Sequence, residues 1–387
     1  MPVNVIRKRE CTGCHACYNA CLGNCIHMER DEEGFLYPIV DSTNCTNCDL
    51  CVRVCPMVKK SKETMNVEEP KVYAAWSLND EIRINSTSGG VFSELALHIL
   101  KNGGYICGVR YGRNHHIEHC IINTIGGLET IRQSKYAQSD KGYIYREIKQ
   151  LLLCGQKVLF CGTPCECAGL RNYLQKDYDN LIIVDFICRG ANSPRVYERF
   201  LEYLENKYES KCVKVWFKNK TYGWNRFSTK IEFANGDCYL EDRDHDPYIL
   251  GYIKCNLYMR PSCAKCRFRM VQRFSDITLA DFWGIRLSDP SLDTEKGTSM
   301  VLINSSKGAD LFGNIEPNIF HEEKSLKDVL IGNPCLLSSP RMNKKKGYFF
   351  KNLETESFDI LMEKCLREQP NILGTLKRIA KKVAGSA

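Results

Sequence analysis

Residues 11–21 read CTGCHACYNAC and residues 45–56 read CTNCDLCVRVCP, and this repeated run decides the first part of the fold. Cys11, Cys14, Cys17 and Cys21 recur 34 residues on as Cys45, Cys48, Cys51 and Cys55, so the head of the chain is an internal duplication. Three close cysteines and a fourth after three residues is the bacterial two-cluster ferredoxin spacing, in which each fourth thiolate crosses to the other cluster. The expected ligands are Cys11, Cys14, Cys17 and Cys55 for one [4Fe-4S] cluster, and Cys45, Cys48, Cys51 and Cys21 for the other. Small residues such as Gly13 and Ala16 let backbone N–H groups approach the cluster sulfurs. Pro56 follows the second run as the motif prefers, whereas Leu22 stands in its place after the first. Zinc ribbons are the competing reading, but they separate their cysteine pairs by a long spacer instead of packing four into one short run. Cys25 is surplus and reads as a buried thiol that is not a ligand.

Outward from this head the chain reaches 387 residues with 43% apolar composition, enough for two or three domains with a substantial core. The start MPVNVIRKRE has no apolar signal-peptide core, so the 23 cysteines point to a reducing, cytoplasmic setting. There, closely spaced thiolates hold metal more often than they form disulfides. No apolar run approaches membrane-spanning length. Part of the net charge of +8 gathers late, in RMNKKKGYFFKN and LKRIAKKVAG, which argues against nucleic acid as a partner. Ile372 to Val383 reads as a solvated basic amphipathic helix, with peripheral membrane contact as the lesser alternative.

The expected organisation is a ferredoxin domain over 1–60, a polar linker over 61–70, a first region over 71–155, a second over 156–340 and a basic tail over 341–387. Beyond Pro70, strands alternate with helices: KVYAAWSL, a helix from Gly90 to Lys101, YICGVRY, KVLFC, a helix after Cys165, LIIVDFIC, and a helix over Pro194 to Asn206. Short apolar runs joined by helices suggest buried parallel strands, and KIEFANGDCYL adds a hairpin around an Asn-Gly turn. The expected fold class is therefore α+β, or mixed α/β, behind a bacterial-type ferredoxin head.

Six motifs in order, STSGGVFSELA, SKYAQSD, VLFCGTPCECAGLRNYL, VDFICRGANSP, RPSCAKC and DITLADFWGI, resemble the coenzyme F-420 hydrogenase/dehydrogenase beta-subunit family over most of residues 70 to 305. That resemblance implies a flavoprotein carrying FAD beside an iron–sulfur cluster, often with a fused ferredoxin domain. Cys165 and Cys188 each follow an apolar strand, where parallel sheets place ligands at their carboxyl ends, and Cys263 and Cys266 form a C-x-x-C hook. The expectation is a third [4Fe-4S] cluster on Cys165, Cys188, Cys263 and Cys266, matching the family's ligand positions. A structural zinc site is the alternative for the same four cysteines. Cys161 and Cys167 flank the loop and read as core, the first in a strand and the second on a helix.

Ser86, Thr87, Ser88, Gly89 and Gly90 precede an amphipathic helix, and hydroxyls, unhindered N–H groups and a helix N-terminus suit the FAD diphosphate. Plain Ser-Gly capping is the other explanation. Ser134, Lys135, Tyr136, Gln138 and Ser139 lie by the flavin if the resemblance holds; an ordinary polar loop is the alternative. Thr163 and Pro164 would set the cluster beside the same cofactor. His115, His116, Glu118 and His119 are expected on a solvent-facing hairpin and not as ligands. Asp281, Phe282, Trp283 and Gly284, and the loop Tyr222, Gly223, Trp224 and Asn225, receive no catalytic role.

These expectations describe a flavin-dependent iron–sulfur oxidoreductase, in which the cofactors perform the difficult chemistry. Its implied partners are a redox protein or reduced ferredoxin and a small-molecule hydride acceptor or donor, coenzyme F-420 or another. The alternatives are an electron-transfer subunit feeding a separate catalytic partner, and an iron–sulfur sensor without flavin.

Overall fold

The computed structural model describes residues 6–58 and 69–366; the helix expected at Ile372–Val383 and residues 61–68 of the expected linker lie outside the described residues. In the head, each cysteine run leads into one short helical turn, Ala16–Ala20 and Leu50–Arg53. The duplication is visible in the backbone, because left-handed residues recur at equivalent places: Gly13 and His15 in the first run, Asn47 and Asp49 in the second. Between the runs, β1 (Ile26–Arg30) and β2 (Leu36–Val40) pair as an antiparallel hairpin.

The body is built on one eight-stranded sheet of β3 (Lys71–Ser77), β4 (Tyr105–Tyr111), β5 (Ile117–Ile122), β6 (Val158–Gly162) and β7 (Leu181–Phe186), then β11 (Ile277–Asp281), β12 (Ser299–Ile303) and β13 (Ile319–Lys324). Between β7 and β11 in the chain, β8 (Cys212–Asn219), β9 (Ser228–Phe233) and β10 (Cys238–Asp242) form a separate antiparallel sheet. In the large sheet the spatial order is β13-β3-β12-β11-β7-β6-β4-β5. The four central strands β11, β7, β6 and β4 run parallel, as their continuous apolar runs suggest. The outer strands do not: β5 pairs antiparallel with β4, and β12, β3 and β13 add antiparallel strands on the other side. Those late strands return to β3 across more than two hundred residues, a pairing that local alternation of apolar runs cannot reveal.

Both faces of the sheet are covered. On one, helices Val91–Lys101 and Ser306–Ile315 bury Leu95, Ile99, Leu311 and Phe312 against Ile106, Leu159, Ile182, Val184 and Val301. On the other, helices Ile144–Leu153 and Pro164–Leu174 pack Ile148 and Leu170 onto Val158, Phe160 and Ile183. The head joins this second layer through Cys14, Ala16, Ala20 and Val54. It is fixed there by polar contacts as well: Arg146 donates to Asn19 O (2.8 Å) and Cys21 O (2.7 Å), and the Asn19 amide accepts from Tyr145 N (3.2 Å). The small sheet packs with helices Pro194–Lys207 and Phe358–Leu366 in an aromatic core around Phe200, Phe217 and Tyr248. Among the described residues no helix is long and apolar enough to cross a membrane.

Candidate functional site

The carboxyl ends of β6, β7 and β11 open on one side of the sheet, the edge at which α/β folds place ligands. A cavity of about 710 Å³ lies there. After β6, Thr163 and Pro164 turn the chain into helix Pro164–Leu174, with Pro164 at its first position, where a missing N–H costs nothing. Glu166 accepts the Thr163 N–H at 2.8 Å and so fixes the turn that carries Cys165. After β7 the chain reaches Cys188, and the short helix Pro261–Lys265 brings in Cys263 and, just beyond it, Cys266. All four cysteines line the cavity. Their thiols sense one another: burial and then Glu166, Cys266 and Cys188 push the Cys165 thiol up, and burial with Cys263 and Cys266 does the same for Cys188. A cation in their midst reverses that penalty, since a coordinated thiol is deprotonated outright. The Thr163 hydroxyl lies 3.2 Å from Cys165 Sγ, and the Ala191 N–H donates to Cys263 Sγ at 3.4 Å.

At another part of the same cavity lie Ser86, Thr87, Ser88 and Gly90, followed by Val91, Phe92 and Ser93 at the start of an eleven-residue helix. No side chain caps that helix, so its first N–H groups are left for a ligand. Gly90 stands at φ 91°, a left-handed conformation that only glycine adopts without strain. Gly89 is not part of the lining; it lies beneath the loop, where a Cβ would meet Ala75 O at 2.5 Å, and its N–H goes to Ser299 Oγ. The loop hydroxyls hold the loop itself: Ser86 donates to Ile82 O and Ser88 to Thr298 O, and Thr87 is hydrogen-bonded to Ser134 at 3.1 Å. Lys220 clamps the loop from behind, donating to Ser88 O (2.6 Å), Arg83 O (2.7 Å) and Lys296 O (2.7 Å).

Ser134, Lys135, Tyr136, Gln138, Ser139, Thr163 and Pro164 also line the cavity. Lys135 donates to the carbonyls of Arg132 and Gln133, and burial pushes its ammonium down to about 7. Tyr136 packs edge-on against Phe217. The Gln138 amide bridges to the head, giving its Nε2–H to Thr12 O (2.9 Å) and accepting from Arg260 (2.7 Å). Ser139 is hydrogen-bonded to His119 Nδ1 at 2.9 Å.

His119 departs from the solvent-facing hairpin expected for it. A bridge between Glu118 and Asp140 covers this end of β5, leaving His119 8% exposed beside Phe160, and burial takes its imidazole down to about 4. Behind it, Lys141 pairs with Glu166 at 2.8 Å, both fully buried. Burial raises the Glu166 carboxyl, but Lys141 and His119 outweigh it and bring it to about 2. Trp224 and Trp283, from the two aromatic loops, stack at 4.7 Å, and Asp281 accepts from Trp224 Nε1 (2.8 Å) and Lys218 (2.5 Å). Lys218, Arg243, Asp281 and Trp283 thus form a wall whose two cations no sequence motif marks.

In the head, the left-handed residues Gly13, His15, Asn47 and Asp49 punctuate both cysteine runs at equivalent places, a backbone alternation of the kind that forms anion-binding nests. Burial and then Cys55 and Cys11 raise the Cys14 thiol to about 12, and Cys17 is raised by burial and by Cys14, Cys11, Cys55 and Cys51. Cys45 is partly exposed and Cys48 exposed, so the two halves of the head differ in depth. Cys14 Sγ rests on Gly169, 3.0 Å from where a Cβ would stand, so the inner half abuts helix Pro164–Leu174, which carries Cys165. The surplus Cys25 is buried, with its S–H directed at Asn44 O (2.9 Å). Among the described residues no two cysteines are joined by a disulfide, and no three Cys, His, Asp or Glu side chains close on a single metal ion.

Fold and site together define an iron–sulfur electron-transfer protein with a mixed α/β body. Residues 10–58 match the 4Fe-4S dicluster domain, and residues 155–329 match the family described as the C terminus of the coenzyme F420 hydrogenase/dehydrogenase beta subunit. Residues 155–329 thus carry that C-terminal domain, and four of the six motifs, from VLFCGTPCECAGLRNYL to DITLADFWGI, fall within them. No curated protein matches the chain. A solved structure of a xenon-derivatised F420-reducing [NiFe] hydrogenase complex from Methanosarcina barkeri is similar at 16% identity, with a TM-score of 0.45, over 77% of this chain and 93% of that one.

Proposed function

We propose that this chain is an iron–sulfur flavoprotein oxidoreductase, with two [4Fe-4S] clusters in the head, a third on Cys165, Cys188, Cys263 and Cys266, and FAD in the adjoining cavity. The observation that carries this reading is that one cavity is lined both by four thiols and by an uncapped helix N-terminus. Clusters supply one-electron transfer, and FAD exchanges electron pairs as hydride with an organic acceptor or donor, coenzyme F-420 or another.

The chain's own part is to bind and orient. Gly90, Val91 and Phe92 would offer N–H groups to the diphosphate, with Ser86 to Gly90 shaping the loop and Lys220 holding it closed. Ser134 ties this loop to the segment of Lys135 and Tyr136, which would lie along the flavin. Lys135 would hold a proton near neutral pH beside it. Thr163 and Pro164, next to Cys165 in the cavity lining, would set the third cluster beside the flavin. A reducing, cytoplasmic location goes with this reading, because closely spaced thiolates hold metal there more often than they form disulfides.

The family model is described as a beta subunit, which favours a second reading: a relay that takes electrons from, or gives them to, a partner protein or reduced ferredoxin and has no substrate of its own. Anaerobic reconstitution followed by an acceptor screen separates the two. The enzyme reading predicts the yellow absorbance of bound flavin and turnover by the isolated chain with a chemical reductant. Turnover only with a partner present favours the relay, and a reconstituted chain without flavin absorbance contradicts the flavoprotein proposal.

A further inference from the structure

We infer that Arg189 and Arg269 are positioning residues for the third cluster, holding positive charge and N–H donors against it so that its reduced state is favoured. The inference rests on the third cluster proposed above. Both side chains line the cavity together with Cys165, Cys188, Cys263 and Cys266, and Arg189 directly follows Cys188 in the chain.

Their bonding is incomplete in a specific way. Arg269 donates from Nη1 to Cys335 O at 2.6 Å and from Nη2 to Arg189 O at 2.8 Å. Arg189 donates from Nη2 to Ile253 O and to Asn256 Oδ1 at 3.1 Å. The Nε–H of each is buried and has no acceptor. A buried N–H without an acceptor is destabilising, and two on one wall mark a place where an acceptor belongs.

Charge gives the same indication. The neighbouring buried arginine, Arg273, is paired with Asp185 at 2.8 Å, and Arg171 has Asp177 at 3.3 Å. Among the described residues Arg189 and Arg269 have no carboxylate partner: their bonded N–H groups meet neutral oxygens, and Arg189 lies 6.0 Å from the Tyr252 ring. Two guanidinium groups without a carboxylate partner therefore line the same cavity as four thiols.

A thiolate-bound cubane gains one negative charge when it accepts an electron, with no bond made or broken. Nearby cations and N–H donors to its sulfurs stabilise that extra charge, and net charge and hydrogen bonding are two of the determinants of cluster potential. Arg189 and Arg269 should thus raise the midpoint potential of the third cluster and make it a place where electrons collect beside the flavin segment.

The test is a potentiometric titration of the reconstituted full chain followed by electron paramagnetic resonance. The signal lost in Cys263→Ser assigns the third cluster. In Arg269→Met and Arg189→Met its midpoint should move to more negative potential, furthest in the double variant, while the head signals stay where they are. Arg269→Lys, which keeps the charge and is the more conservative variant for folding, should recover part of the shift. A third-cluster midpoint unchanged in both methionine variants overturns the inference, as does a loss of bound FAD with no change in midpoint, which would assign the guanidiniums to the flavin phosphates. If Cys263→Ser removes no signal, the third cluster itself fails, and the inference with it.

Discussion

The head buries cysteine where the body buries isoleucine, valine and phenylalanine. Around β1 the head's interior is Cys17, Ile26 and Cys51 with Cys21 and Val40 beside them, whereas the large sheet packs Ile99, Ile106, Leu159, Val184 and Val301 into one layer. Apolar burial at roughly 25 cal/mol per Å² sustains a sheet of that size without help, but it offers less to a small unit in which Cys14, Cys17, Cys25, Cys51 and Cys55 take up much of the buried interior. The difference teaches that the two regions should respond differently to metal: folding of the head is coupled to its clusters, and folding of the body is not.

The largest effect should follow from breaking the head's ligand sets. With Cys14→Ser and Cys48→Ser together, the loss is on the order of 10 kcal/mol, the scale of a structural metal site. Limited proteolysis should then cut within residues 6–58 while the unfolding transition of the body persists. A body that melts with the head would remove the distinction.

Next comes the pair buried beneath the cavity. Lys141→Met leaves Glu166 without its cation and should destabilise the body by about 3–5 kcal/mol, measured by denaturant unfolding. The sign with pH follows. A carboxyl held at about 2 contributes stability that is full above its unfolded value near ~4.3 and is lost as pH falls toward about 2. In Lys141→Met, burial of Glu166 is opposed only by His119 and the Thr163 N–H, so acid unfolding should begin at higher pH than in the parent chain.

The join between the regions rests on Arg260, which is fully buried. It donates to Cys11 O (2.8 Å), Leu36 O (3.0 Å) and Gln138 Oε1 (2.7 Å) and stacks over Tyr37 at 4.2 Å. Arg260→Met strands those carbonyls and should cost about 3 kcal/mol. Amide exchange should quicken at residues 11–13 and around Gln138 before it does in the large sheet. Smallest is Lys220→Met, which loosens the loop at Ser88 and should weaken FAD binding roughly tenfold, or ~1.4 kcal/mol, with little change in the melting of the large sheet.

The same contrast governs how much could be read from residues alone. The head's ligand pattern is local, four cysteines within one turn-forming run, and the family match over residues 10–58 agrees with it. In the body the central strands and their helices were legible because each is a continuous apolar run or an amphipathic stretch. The antiparallel returns of β12 and β13 to β3 were not, since only tertiary pairing reveals them. The cavity wall has the same character: Lys218, Arg243 and Asp281 come from β8, the turn after β10, and β11, with no shared motif. His119 looked solvent-facing by alternation and is buried by Asp140, a residue outside its hairpin.

The most direct test of the account is metal and flavin analysis of the full chain with all eight head cysteines, Cys11, Cys14, Cys17, Cys21, Cys45, Cys48, Cys51 and Cys55, replaced by serine. After anaerobic reconstitution the body should retain roughly four irons, one cubane, together with FAD. A folded body that holds no iron, or holds zinc in its place, would contradict it.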